Sequence, residues 1–158
     1  MYIHQHKNEW KTEYQNEADL ILSKYNGSIN LYHIGSTAVS GLYAKDCIDI
    51  LGVVNNTADV RAQKPNFSDV GYTYKGEYGL AGREYFSKTK RKVHLHIYQL
   101  GNLAIKKDLN FIHVMQGNLT LINELNQIKL HLHNKYPEDK DSYQRGKEYF
   151  YNKVHNML

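Results

Sequence analysis

Apolar residues recur along this chain with two periods. Over residues 8–25 (NEWKTEYQNEADLILSKY), Trp10, Tyr14, Ala18, Ile21 and Tyr25 fall three or four apart, which predicts an amphipathic helix. Asn26-Gly27 follows, and both tolerate the positive φ that closes a helix. Residues 28–34 (SINLYHI) predict a short strand. Residues 47–54 (CIDILGVV) predict a strand that is β-branched and apolar at nearly every position, hence covered on both faces. Residues 57–63 predict a short helix. Three more strands are expected over 72–78, 83–88 and 93–100, with Gly79 and Gly82 turning the chain between the first two. The last third is helical in pattern over 103–116, 118–136 and 140–157, the final helix starting at Asp139 or Lys140. Both prolines, Pro65 and Pro137, are expected in loops. This order describes an α+β domain, residues 1–158, with a mixed sheet and a helical C-terminal third.

Composition narrows the setting. With 41% hydrophobic and 23% charged residues, the chain is an ordinary globular one. Its apolar runs fall short of the roughly 20 residues that span a bilayer, and its polar start is unlike a signal peptide. Cys47 is the single cysteine, so no disulfide forms within the chain, which suits a reducing, cytoplasmic setting. The formal charge of +4 and pI near 9.0 suit a phosphate-bearing ligand but lack the dense basic tract of a nucleic-acid arm. The 14 tyrosines are expected mostly at the edges of the core.

One acid, Asp49, interrupts the apolar strand. An ionised carboxylate is costly there unless a metal, a charge or several donors meet it. Just upstream, Gly35, Ser36 and Thr37 follow a strand and open a turn whose N–H groups and hydroxyls could cradle a phosphate. A phosphate-holding turn beside a metal-holding carboxylate is the pairing phosphoryl transfer requires. His94 and His96 are two apart in a strand, so both project from one face, where they suit a transition metal shared with Asp49. Arg83 and Lys45 are the expected phosphate partners, one a bidentate fork and the other a compact charge. Glu77 is a candidate second carboxylate or a partner for Arg83. His33 either orients Ser36 or packs. The basic turn 88–92 is a solvated loop or a polyanion contact. His131 and His133, two apart on a helix, are expected on different, solvated faces.

The stretch HIGSTAVSGLYAKDCIDI resembles the signature of the GrpB family in the nucleotidyltransferase superfamily. GYTYKGEYGLAGREYF, HLHIY and YPEDKDSYQRGKEYF resemble later segments of that family, so the likeness runs from about Trp10 to Phe150. It implies a nucleotidyltransferase fold, a mixed sheet flanked by helices. It also implies an NTP as substrate or ligand, held by Gly35, Ser36 and Thr37, and Mg²⁺ or Mn²⁺ on Asp49, with Zn²⁺ or another transition metal if His94 and His96 take part. The superfamily strand usually carries a second acid two residues on, and Leu51 stands there. Asp46, three residues before Asp49, faces the other way in a regular strand and is expected at an exposed strand start. Transfer of a nucleotidyl group to an unknown acceptor is one expected function. A non-catalytic nucleotide or phosphometabolite module, in some relatives beside coenzyme A synthesis, is the other. A nucleic-acid partner such as tRNA stays open.

Overall fold

A computed structural model describes residues 3–157. Its sheet has the strand order β2-β4-β7-β6-β5. β4 (Ile48–Val54) and β7 (Val93–Gln99) run parallel at the centre. β2 (Asn30–Ile34) pairs antiparallel with β4, and β6 (Glu84–Lys88) with β7. The short β5 (Thr73–Tyr74) forms the far edge. A separate pair, β1 (Ile3–His4) and β3 (Ala44–Lys45), was not foreseen from sequence. The mixed sheet flanked by helices is the architecture the resemblance implied.

The apolar character of β4 follows from helices on both faces. On one face Ile48, Ile50 and Val54 join Val93, Leu95, Ile97 and Phe86 under α1 (Glu9–Lys24), α2 (Thr57–Arg61) and α3 (Lys64–Ser68), which supply Trp10, Ile21, Val60 and Phe67. On the other face Leu51 and Val53 pack with Ile34 and Tyr98 under α4 (Leu103–Met115) through Ala104, Ile105 and Leu109. α5 (Leu119–Lys135) and α6 (Lys140–His155) close a further cluster with α4 around Leu125, Met115 and Phe150. Each fully buried leucine or isoleucine contributes roughly 1.5–3 kcal/mol relative to exposure.

Three expectations change. Pro65 lies in the first turn of α3, where a helix needs no N–H from it, and so is not in a loop. The strand expected over 72–78 shrinks to β5, because Gly76 and Gly79 take positive φ and turn the chain out of the ladder. His133 is buried, unlike exposed His131, because α5 packs on more than one side. Asp139 caps α6 by accepting from the Ser142 amide, as its position predicted. Among the described residues, no helix is long and apolar enough to cross a membrane.

Candidate functional site

The register of the central strands builds the site. Asp49 pairs across with Ile34 of β2 and His94 of β7, and Leu51 with His96. Asp49, His94 and His96 therefore share the face towards α4, at the point where β2 ends. Gly35 comes next, with φ 75°, and a Cβ there would stand 3.0 Å from Asp49 Oδ2. Only glycine lets the turn approach the carboxylate this closely without strain. Ser36–Ala38 then form a single 3₁₀ turn.

Asp49 Oδ1 accepts from His96 Nε2 at 3.1 Å and lies 3.5 Å from His94 Nδ1. Burial alone would raise its pKa. The hydrogen bonds from His94 and then His96 outweigh that and hold it at about 2. Arg83 Nη1 sits 3.1 Å from His96 Nδ1. A guanidinium only donates, so Nδ1 must be the lone-pair nitrogen and Nε2 carries the proton given to Asp49. Both His96 nitrogens are thus engaged, and the chain Arg83–His96–Asp49 fixes the carboxylate. Arg83 also donates to the main-chain carbonyls of Glu77 and Tyr78 and lies over the Tyr85 ring at 4.4 Å.

On one side of Asp49 opens a cavity of about 310 Å³ that Gly35, Ser36 and Thr37 line. Four lysines line it too: Lys45 from β3, Lys92 from the turn before β7, Lys129 from α5 and Lys147 from α6. Among the described residues, Asp49 is its sole lining carboxylate. Lys129 is 2% exposed and donates to Ser36 Oγ at 2.7 Å and to the Tyr43 carbonyl at 2.6 Å. Lys147 is buried, its ammonium 4.6 Å from the centre of the Tyr143 ring, which Lys45 approaches at 5.4 Å. Burial and then the repulsion of Lys45 push Lys147 down to about 8. Burial, then Lys147 and Lys45, lower Lys129, and burial, then Lys140 and Lys92, lower Lys45. Ammoniums gathered in this way repel one another until an anion joins them.

On the other side a cavity of about 280 Å³ also reaches Asp49, Gly35 and Tyr151. Its walls include Leu80, Phe111 and Tyr98, with Arg83, His96 and Asp108 as its other charged or titratable groups. Burial, with Asp49 opposing and His96 favouring its charge, raises the Asp108 pKa.

Three donors offer themselves to a metal. Ligand atoms of Cys47, Asp49 and His94 lie within 4.8 Å of one another. Sulfur, nitrogen and oxygen together suit zinc or another transition metal. Burial, then the Asp49 charge, pushes the Cys47 thiol up to about 12, so such a metal would have to displace its proton. For Mg²⁺ or Mn²⁺, Asp49 is the one carboxylate among the described residues that line this cavity, which fits an ion carried on a polyphosphate but not a protein-held pair.

The structure therefore brings Gly35, Ser36, Thr37, Lys45, Asp49 and His94 to one cavity. His96 holds Asp49 from the side. Arg83 is turned towards the second cavity and is not brought to the one that Ser36 lines. Glu77 partners Arg83 through its main-chain oxygen, while its carboxylate accepts from the Gly82 amide at 2.6 Å. His33 faces α1, stacks on Tyr14 at 4.7 Å and bonds Thr37 Oγ1 at 2.9 Å. Asp46 accepts from Trp10 and pairs with Arg91 and Lys7, so it ties α1 to the turn before β7. In the basic turn, Lys88 pairs with Glu17 and Arg91 with Glu13, leaving Lys92 to the cavity. Lys129, Lys147 and Asp108 were missed: each sits in a helix whose spacing shows only which face is apolar.

This arrangement is a nucleotidyltransferase fold. The described chain superimposes on the Cid1 poly(U) polymerase, in a structure solved with MgGTP, with a TM-score of 0.57 and 16% identity, covering 82% of this chain and 44% of that one. The chain belongs to the GrpB family: residues 1–156 match the model described as GrpB protein. It resembles the conserved protein GrpB of Enterococcus faecalis, with a TM-score of 0.91 and 29% identity over 98% of this chain and 94% of that one. It is 27% identical to the glutamate-rich protein GrpB of Alkalihalophilus pseudofirmus, over 97% of this chain and 92% of the relative. It is 36% identical to the UPF0157 protein YqkA of Bacillus subtilis over 76% of its own length, but spans only 36% of YqkA.

Proposed function

We propose that this chain binds a nucleoside triphosphate and transfers its nucleotidyl group slowly to an acceptor. The observation that carries this reading is the meeting of Lys45, Lys92, Lys129 and Lys147 with Ser36 around a cavity where, among the described residues, Asp49 is the sole lining carboxylate. In this reading the lysines and Ser36 take the polyphosphate, and Asp49 takes a Mg²⁺ or Mn²⁺ ion that the nucleotide brings. When bound, that ion would neutralise charge on the phosphates. The chain's own part is placement: Gly35 brings the turn to Asp49, and Arg83 through His96 fixes the carboxylate. Positioning and charge stabilisation carry most of the catalysis in phosphoryl transfer. The nucleotide in the Cid1 complex supports the reading by shared fold.

A second reading is a nucleotide or phosphometabolite module without turnover. Leu51 favours it, since the position that would carry a second metal ligand is 0% exposed in an apolar cluster. Calorimetric titration with each of the four NTPs and Mg²⁺ tests both. Lys129→Met should weaken the tightest nucleotide on the order of 100-fold, because charge-assisted contacts contribute about 1.5–3 kcal/mol. Unchanged affinity would remove the lysine cavity as the site. Release of labelled pyrophosphate then separates transfer from binding alone.

A further inference from the structure

The second cavity is lined by none of the four lysines, yet it shares Gly35, Asp49 and Tyr151 with the lysine cavity. Asp49 thus stands at the junction of two compartments of opposite character. One is lined by ammoniums. The other is walled by Leu80, Tyr98 and Phe111 and holds an acid, Asp108, whose carboxylate has no hydrogen-bond or ion-pair partner among the described residues. The one guanidinium there, Arg83, is already spent on His96 and two main-chain carbonyls.

Displacement at the α-phosphorus runs in line, so the attacking group and the leaving pyrophosphate lie on opposite sides of it. If the lysine cavity holds the pyrophosphate beside Asp49, the acceptor must enter from the second cavity. We infer that the second cavity is the acceptor site, that it takes a small molecule bearing an alcohol or primary amine, and that Asp108 is the catalytic base for it. This rests on the reading of the lysine cavity as the nucleotide site. In the step, the acceptor oxygen or nitrogen forms a bond to the α-phosphorus while the bond from that phosphorus to the β-bridging oxygen breaks. Pyrophosphate leaves with the electron pair, and the acceptor proton goes to Asp108. The volume of about 280 Å³ and the apolar walls suit a small acceptor better than the end of a polynucleotide. Two acids and no uncommitted cation favour a neutral or cationic group over an anion.

The test first measures binding of each α-³²P-labelled NTP with Mg²⁺, then transfer of label to ethanolamine, to glycerol and to a short oligoribonucleotide. The expected result is label on ethanolamine or glycerol. Asp108→Asn should lower kcat about 10²-fold to 10⁴-fold with the nucleotide Kd within about twofold of the parent. Asp108→Glu, which keeps a carboxylate, should recover part of the rate, and it decides the matter if Asp108→Asn does not fold. Label on the oligoribonucleotide alone overturns the small acceptor. An unchanged kcat in Asp108→Asn, a nucleotide affinity that falls with it, or bound nucleotide with no acceptor labelled overturns the role of Asp108. Failure of every nucleotide to bind would strike the underlying reading, before any variant is made, and this inference with it.

Discussion

At the scale of single residues, the chain places an ionised carboxylate where a strand should be dry, and three neighbours make this tolerable. His96 and His94 approach Oδ1, and Gly35 leaves room at Oδ2. Asp49→Asn keeps an oxygen that can accept from His96 Nε2, so the hydrogen bond survives while the charge is lost. It loses the electrostatic stabilisation that holds the Asp49 pKa at about 2, so its expected stability is about 1–2 kcal/mol below the parent's, with the fold kept. The extra nucleotide affinity conferred by Mg²⁺ should fall about tenfold or more, or ~1.4 kcal/mol. Titrations with and without Mg²⁺ check this; an undiminished Mg²⁺ effect would move the ion elsewhere. Asp49, His94 and His96 were legible in sequence because a strand has period two, so like-facing residues can be read directly. The engagement of both His96 nitrogens was not, since it depends on Arg83, which lies 13 positions away in sequence.

At the scale of elements, the helix boundaries of α1, α4, α5 and α6 could be read because long amphipathic repeats and caps such as Asp139 mark them. Short elements could not. α3 hides behind Pro65, and β1 and β3 are two residues each, stabilised by pairing Ile3 with Lys45 and His4 with Ala44, far apart in the chain. The placement of α4 matters most for chemistry. It covers Leu51 with Ala104, Ile105 and Leu109, while Asp108, beside Leu109 on the same stretch, lines the second cavity. From the sequence, Leu51→Asp looks like a repair of the carboxylate pair. The dry packing under α4 changes that expectation. An acid there would be buried without a partner, which costs on the order of 3 kcal/mol or more. That is a large share of the roughly 5–15 kcal/mol that holds a domain folded. Urea denaturation of Leu51→Asp should show a clear drop in midpoint with no gain in metal affinity. A midpoint equal to the parent's would mean that water reaches this face.

At the scale of the whole molecule, four lysines from four separate parts of the chain meet in one cavity, and no local pattern announces it. A net charge of +4 understates the effect, because the charge is concentrated around Ser36. The result should be visible in how stability depends on pH. Lys147 has its pKa pushed from the ordinary 10.5 down to about 8 by burial and then by Lys45, and Lys129 and Lys45 are lowered too. Facing it are Lys45 on β3, Lys129 on α5 and the rings of Tyr143 and Tyr151 on its own helix. Below pH 8 the folded protein carries this crowded ammonium at a cost. As pH rises past 8 the folded state sheds the proton and the unfolded chain keeps it, so stability rises. Cys47 acts in the opposite sense: its thiol, raised from 9.0 to about 12, makes stability fall once pH passes 9. The clean window is therefore pH 7 to 9, in which the unliganded protein should gain about 1 kcal/mol. A polyphosphate needs the same ammoniums charged, so its affinity should weaken over that window. Thermal melts with and without ATP and Mg²⁺ should converge: the unliganded midpoint climbs and the ligand-induced increment shrinks. Lys147→Met should flatten most of the climb and weaken the ligand at pH 7. Melts that stay parallel from pH 7 to 9 would show that the lysines are not crowded, and that another group balances the charge in the cavity.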